Sequence, residues 1–206
     1  MHENTVELVG HYGSDETHAM SAWTSTRREI DDERRNRIDK LLNDLASNKH
    51  ETPFEKSFLH FLVVTDIASH IHLLKHRIGV SVNTESARYK ELKDNRFYLP
   101  EDWDEEDLAE YSDFIQQAQN KYHTTYQKLI NKGFPKKRAK ESARFYLPYG
   151  TQIVSDVGFN FRSFVHFQRL RNSEHAQLEI RKIAQKMLEL VKNLEEFNLS
   201  IKAFKL

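Results

Sequence analysis

The sequence predicts one α/β domain over residues 1–206 in which strands and helices mix irregularly. Three observations lead there. A chain of 206 residues suits one hydrophobic core. Short strand-like apolar runs are interspersed with segments of helical period, without the regular alternation of a doubly wound sheet. No Gly-x-Gly-x-x-Gly phosphate loop is present, so a Rossmann cofactor site is not expected.

Taken in order, Thr5–Val9 reads as a short strand ending near Gly10 and Gly13. Asp31-Asp32-Glu33 places negative charge at the first turn of a helix, where it favours the backbone dipole. Ile38, Leu41, Leu42 and Leu45 follow at helical spacing, to about Asn48. The dense run Phe58–Val64 suits a buried strand. Asp66 can cap a helix with Ile67, Ile71 and Leu74 on one face, delivering Lys75, His76 and Arg77 at its end. Ser81 to Trp103 reads as loop. Acidic residues from Glu101 to Glu106 open a long helix through Phe114, Tyr122 and Ile130 that Gly133 stops. Pro135 opens the next helix, with Arg144 near its end. Tyr149–Asp156 reads as a strand, and two helices complete the chain, the last carrying Ile180, Ile183, Met187, Leu190, Val191 and Leu194.

Composition narrows function. Lys plus Arg total 31 and Asp plus Glu total 31, so general nucleic-acid affinity through phosphate neutralisation is not supported and any anion site must be local. Cysteine is absent, which removes disulfides, thiolate metal sites and a cysteine nucleophile. No apolar run approaches the roughly 20 residues that cross a bilayer. Met1-His2-Glu3-Asn4 has no secretory pattern. The expectation is a cytoplasmic protein with neither nucleic acid nor membrane as partner.

The segment from Lys75 to Tyr89 is the most informative. It gathers cations, hydroxyls and an amide around Gly79, which lets the backbone turn and approach a ligand closely, while Arg77 and Arg88 offer planar forks that match phosphate. That is the chemistry of an anion pocket.

The same residues resemble the signature of flavin-dependent thymidylate synthases, Arg-His-Arg, a short spacer, then Ser-x-Arg-Tyr. Here His76-Arg77 is followed, after eight intervening residues, by Ser86-Ala87-Arg88-Tyr89. Further blocks agree in order: Val6-Glu7-Leu8-Val9, His50-Glu51-Thr52-Pro53-Phe54-Glu55, Arg144-Phe145-Tyr146-Leu147-Pro148, Asn160-Phe161-Arg162-Ser163 and Arg171-Asn172-Ser173-Glu174-His175-Ala176-Gln177. The resemblance implies an α/β fold with a central, mostly antiparallel sheet flanked by helices, and a homotetramer whose active sites several subunits share. It implies an enzyme that methylates dUMP to dTMP, taking carbon from 5,10-methylenetetrahydrofolate and hydride from FAD reduced by NADPH.

It also implies site residues. Arg171 would hold the pyrimidine and its developing charge, with Ser86 and His50 as further catalytic residues. Ser86 is better suited to bonding substrate than to attack, because no adjacent base is specified. Arg88 and Arg144 would bind the nucleotide phosphate, with Ser86, Ala87, His72 and Lys75 beside them. Thr52, Lys75, His76, Arg77, Asn160, Arg162 and His166 would meet the flavin. His50 would orient or exchange a proton near flavin and folate, and Glu55 either positions it or is a surface charge. Some positions depart from the family. Lys75 replaces an Arg and loses its fork; His72 stands where Gln is frequent; His166 stands where some members have Asn. An extra residue between Arg77 and Asn83 leaves open the acidic place beside the flavin, which spacing assigns to Thr84 and chemistry to Glu85.

Blander readings exist for each. Arg171 beside Arg169 can be a solvated helix arginine, Ser86 and Arg88 loop residues, Thr52 a turn-former before Pro53, and Asn160 a helix cap. Rival functions exist too. Water trapping the methylene would make a pyrimidine hydroxymethylase. Tyr89, Phe97 and Tyr98 could stack bases in a non-catalytic nucleotide- or RNA-binding module, which zero net charge disfavours. His72 and His76, one helical turn apart with His60 and His70 near, have metal-ligand spacing, but the His-Glu-x-x-His glutamate is missing and Lys75 and Arg77 would repel a dication. No metal is expected.

Overall fold

The structure is a computed structural model that describes residues 3–26, 29–86 and 96–206; the expectations placed on Ala87, Arg88 and Tyr89 lie outside them. Strand β1 (Thr5–Tyr12) is followed by helices α1 (Asp15–Trp23), α2 (Asp32–Arg35) and α3 (Ile38–Ser47), then a 3-10 turn at Thr52–Glu55. Strand β2 (Phe58–Asp66), helix α4 (Ile67–Leu73) and strand β3 (Val80–Thr84) come next. Helices α5 (Glu105–Asn131) and α6 (Lys136–Ala143) and a 3-10 turn at Arg144–Tyr146 lead to strand β4 (Gln152–Phe159). Helices α7 (Phe161–Arg171), α8 (Leu178–Lys192) and α9 (Asn198–Phe204) complete the order. The strands form one antiparallel sheet in the order β1-β2-β4-β3. No helix among the described residues is long and apolar enough to cross a membrane.

Internal contacts divide the chain into two units. The first comprises Met1–Asn4, Val64–Ile71 and Thr84–Ser155. In it Asp104 caps α5 by accepting from the Asp107 amide at 2.9 Å, with Glu105, Glu106 and Asp107 in the first turn, and Gly133, in the left-handed region, follows its end. Both terminators are legible in sequence. Asp66 caps α4 through the Ser69 amide at 2.7 Å.

The second unit comprises Thr5–Val63, His72–Asn83 and Asp156–Leu206 and holds the main apolar core. Alternation along β2 buries Leu59, Phe61 and Val63, and Val157 and Phe159 on β4 join them. Against these pack Ala19 of α1, Leu42 of α3, Phe161, Phe164 and Phe167 of α7, and Ile180, Met187 and Val191 of α8. Phe161 stacks on Phe197 at 5.4 Å between centroids, and Phe54 meets Phe204 edge-on at 4.6 Å.

A polar chain crosses this core. The buried His18 has its Nδ1 2.9 Å from Ser200 Oγ and its Nε2 2.8 Å from Ser57 Oγ. Ser200 Oγ donates in turn to Asp15, whose carboxylate also accepts from the Leu199 and Ser200 amides. Since the Ser200 proton goes to Asp15, His18 Nδ1–H donates to Ser200 and Nε2 accepts from Ser57. Burial drives the His18 imidazole down to about 3, so it stays neutral.

Several elements depart from the sequence expectation. Helix α1 was not foreseen, because it is anchored by buried Asp15 and His18 rather than by an apolar stripe. The helix expected from Asp31 to Asn48 is two, since α2 buries nothing and only α3 carries core residues. On α4 the buried apolar residue is Leu73, at 1% exposure, whereas Ile71 and Leu74 are 38% and 47% exposed. The loop expected from Ser81 includes β3, a short edge strand whose exposed Ser81 and Asn83 alternate with half-buried Val80 and Val82. β4 starts at Gln152, three residues beyond Tyr149. A third closing helix, α9, adds Ile201 and Phe204 to the core.

Two outcomes follow from this packing. Gly79 has φ +66, and a Cβ there would collide with Asn160 Nδ2 and Ser163 Oγ; Gly79→Ala should cost about 1–3 kcal/mol, read as a lower urea midpoint, and an unchanged midpoint would contradict the turn described. The unfolded chain protonates His18 near the usual 6.5 whereas the native chain resists to about 3. Stability should therefore fall as pH drops through that window, by at most about 1.4 kcal/mol per pH unit from this group. His18→Gln should flatten the decline, and parallel declines in both proteins would show that the acid sensitivity has another source.

Candidate active site

The second unit contains an open cleft of about 540 Å3. Three segments line it. Glu51 and Glu55 come from the 3-10 turn before β2; Lys75, His76, Arg77, Ile78 and Val80 come from the link between α4 and β3; Arg162, Ser163, His166, Arg169, Leu170 and Arg171 come from α7. Arg162, His166 and Arg169 recur at helical spacing and so share one face of α7, while Phe161, Phe164, Val165 and Phe167 are buried in the core.

The link is fastened to the start of α7. Asn160 caps the helix by accepting from the Ser163 amide at 2.8 Å, and its own amide donates to the Gly79 carbonyl at 2.9 Å. Ser163 Oγ donates to the Ile78 carbonyl at 2.7 Å. The glycine is required because its backbone is left-handed and its α-carbon faces Asn160 and Ser163 directly. Lys75, Arg77 and Ile78 remain exposed on the cleft rim, Ile78 at 90%.

Arg171, at the end of α7, is held by two imidazoles. Its Nε donates to His76 Nε2 at 3.1 Å and its Nη1 lies 3.0 Å from His72 Nδ1. A guanidinium has no lone pair to offer, so both histidine nitrogens accept. Burial lowers the Arg171 guanidinium from the usual arginine range. Burial, then the charge of Arg171, with His166 and His72 adding, takes His76 down to about 4. His76 is packed edge-on against Phe167 at 5.0 Å and His166 at 5.8 Å. The spacing of His72 and His76 that resembled a metal pair therefore serves an arginine, whose protons occupy the lone pairs a metal would use. Among the described residues no group of three or more His, Cys, Asp or Glu is placed to hold a metal ion.

Arg162 meets carboxylates. Its Nε donates to Glu51 at 3.1 Å and its Nη1 to Glu55 at 2.6 Å, and the Glu55 bond is the chief reason its guanidinium is raised above the usual range. Arg169 Nη1 is 3.8 Å from the other oxygen of Glu51. Glu55 is thus an ion-pair partner of Arg162 rather than a free surface charge. Glu51, Arg169 and Ser163 were not singled out from sequence; the acidic spacing within His50-Glu51-Thr52-Pro53-Phe54-Glu55 was the available signal. His50 and Thr52 are exposed beside these carboxylates in the chain.

In the first unit, Glu85 accepts from Arg96 Nη2 at 3.1 Å and from the Val154 amide at 3.3 Å, with its side chain only 11% exposed. Thr84 Oγ1 lies 3.3 Å from Ser155 Oγ and 3.4 Å from His70 Nε2. Ser86 is half-buried after β3, and Arg144 is exposed at the end of α6. The expected residues thus divide: Lys75, His76, Arg77, Arg162, His166 and Arg171 share the cleft with His72 on Arg171, Asn160 fixes the rim, and Glu85, Ser86 and Arg144 belong to the other unit.

The chain is similar to known proteins over most of its length. A family model described as thymidylate synthase complementing protein matches residues 7–194 and so spans residues of both units. A flavin-dependent thymidylate synthase from Pseudothermotoga lettingae is 34% identical over 196 residues, covering 92% of this chain and 85% of that protein. One from Ehrlichia ruminantium (strain Gardel) is 31% identical over 204 residues, covering 91% of this chain and 66% of the relative. The crystal structure of a UMP/dUMP methylase, PolB from Streptomyces cacaoi, bound with 5-Br dUMP, superposes with a TM-score of 0.80 at 28% identity, covering 98% of this chain and 95% of that one.

The carboxylates on Arg162 should compete with any external anion. Glu55→Gln removes the shorter of its two ion pairs, so pyrophosphate should bind the variant roughly tenfold more tightly by isothermal titration. Equal affinity in the two proteins would mean that Arg162 does not contribute to anion binding.

Proposed function

The chain belongs to the family of thymidylate synthase complementing proteins, and from that premise we propose how its cleft works: as the site of a flavin-dependent thymidylate synthase that converts dUMP to dTMP, with 5,10-methylenetetrahydrofolate as carbon donor, FAD as the flavin and NADPH as reductant. The observation that carries the reading is Arg171, a partly buried guanidinium fixed in a cation-rimmed cleft by two hydrogen bonds.

Methylation at C5 requires negative charge to spread from that carbon onto the pyrimidine oxygens. A positioned cation beside those oxygens stabilises that charge without reorganising during the reaction. Arg171 has two of its donors committed to His72 and His76, and the remaining guanidinium protons are left for a pyrimidine carbonyl. Neutral His76 serves this better than a charged one, since an imidazolium would repel Arg171 and could not accept from it. His72 and Lys75 stand at the same end of the site, and Ser86, Ala87, Arg88 and Arg144 are assigned to the nucleotide, the two arginines to its phosphate. Ser86 bonds the nucleotide rather than attacking it, and the chain has no cysteine that could do so.

No side chain donates a hydride, and reduction of the transferred carbon to a methyl group is the chemistry that FAD supplies when bound. The cleft's donors suit it. Arg77 and Lys75 are exposed on the rim, and Arg162 already binds anionic oxygens, so exchanging Glu55 for a phosphate oxygen conserves its charge pairing. Thr52, His76, Asn160 and His166 are assigned to neutral contacts with the flavin, Glu85 or Thr84 to the position beside it, and His50 to orientation or proton exchange near the folate. Residues 1–206 act as one functional domain, in a cytoplasmic homotetramer whose subunits share active sites.

Arg171→Ala should retain FAD but bind dUMP ten- to a hundredfold more weakly, as expected for loss of a charge-assisted hydrogen bond of about 1.5–3 kcal/mol, with turnover falling as well. Normal dTMP formation in that variant would remove Arg171 from the site. Anaerobic mixing of the flavin-loaded protein with NADPH should bleach the flavin band, and adding dUMP with methylenetetrahydrofolate should restore it as dTMP appears. A colourless purified protein that NADPH leaves unchanged would end the cofactor assignment.

A further inference from the structure

Among the described residues, the hydrogen-bond partners of Arg171 are nitrogens that can be protonated. Its Nε is 3.1 Å from His76 Nε2 and its Nη1 is 3.0 Å from His72 Nδ1. An arginine is charged at every pH of interest and has only protons to offer. A proton added to either accepting nitrogen therefore removes a hydrogen bond and sets a second cation against the first. We propose that His72 and His76 form a double-acceptor seat that holds Arg171 in place only while both imidazoles are neutral, which makes His72 a positioning residue whose protonation releases the pyrimidine site. This rests on the reading that Arg171 receives the pyrimidine.

The two histidines are not equivalent. His76 is buried, packed against Phe167 and His166, and faces Arg171 from the end of α4. Burial and those neighbouring charges keep it neutral to about pH 4. His72 is only half-buried, on the last turn of α4, and so is the member of the pair that meets solvent protons. Among the described residues the groups whose charge acts on His76 are Arg171 and His166 from α7 and His72 from its own segment, with Lys75 and Arg77 lining the same cleft. The cleft carboxylates Glu51 and Glu55 are committed to Arg162 and Arg169.

The geometry also sets the tautomers. His72 accepts at Nδ1, so its proton lies on Nε2; His76 accepts at Nε2, so its proton lies on Nδ1. The neutral rings must carry their protons on opposite nitrogens.

Two measurements on the flavin-loaded protein test the seat. Imidazole 15N spectra at pH 7.5 should show His72 as the Nε2–H tautomer and His76 as the Nδ1–H tautomer, with the His72 preference lost in Arg171→Ala. Matching tautomers on the two rings would overturn the proposal whatever Arg171 binds. The second measurement is dUMP affinity from pH 5.5 to 8.5 in wild type, His72→Gln and His72→Leu. Glutamine keeps an oxygen acceptor that cannot be protonated, and leucine keeps none. The phosphate of dUMP itself titrates near pH 6, so the quantity read is the ratio of wild-type to His72→Gln affinity, from which the ligand's titration cancels. That ratio should be level at alkaline pH and fall toward tenfold per pH unit on the acid side. His72→Leu should be roughly ten- to a hundredfold weaker at every pH. A level ratio throughout, or a leucine variant that binds as wild type does while Arg171→Ala does not, would sink the seat and leave the assignment of Arg171 to the pyrimidine intact. Full dUMP affinity in Arg171→Ala, with the opposed tautomers present in wild type and lost in that variant, would do the reverse.

Discussion

The cleft depends on how the link after α4 is pinned to the first turn of α7. Two backbone carbonyls, Ile78 and Gly79, are taken by Ser163 Oγ and the Asn160 amide, and Asn160 also caps the helix. These bonds satisfy helix-end donors and loop acceptors that would otherwise need water. They also place the cations on either side of the junction, Arg77 before it and Arg162 after it, along the same opening. Because the junction needs a left-handed residue without a side chain, the geometry of the rim is set by one glycine.

The arginines of α7 meet two kinds of partner. Arg162, and at longer range Arg169, are met by carboxylates, whereas Arg171 is met by neutral nitrogens. The distinction matters electrostatically. A carboxylate on Arg171 would spend its positive field before any ligand arrived, whereas an imidazole acceptor fixes the orientation and leaves the charge uncancelled. The acidic pair on Arg162 instead fixes its fork with the charge already compensated.

How far this was legible differed by feature. Terminators acted locally and were readable: Asp104 before α5, Gly133 after it, and Asp66 ahead of α4. The grouping of Lys75, His76, Arg77, Arg162, His166 and Arg171 followed from motif agreement rather than from periodicity. Three things were hidden for physical reasons. Helix α1 is docked by hydrogen bonds, which leave no hydrophobic period. Strand β3 is five residues long at a sheet edge, where polar residues are normal and alternation is too short to stand out. The partners of Arg162 and Arg171 are separated from them by about a hundred residues, so which acid or imidazole meets which guanidinium is a tertiary fact that charge counting cannot reach.

The polar chain through the core has a consequence for the order in which the protein can be completed. It joins Asp15 and His18, near the start of the sequence, to Ser200, across more than 180 intervening positions. During synthesis the chain emerges from its N-terminus, and until residues near 200 have left the ribosome Asp15 lacks its Leu199 and Ser200 donors and His18, though within reach of Ser57, lacks Ser200. Burying them earlier would strand an imidazole and a carboxylate away from water. The N-terminal helix is therefore discouraged from docking on a partial core, and closure of the interior waits for α9. A nascent chain halted before residues 199 and 200 emerge should remain open around α1, accessible to chaperones and proteases, even though the strands and α7 are already made.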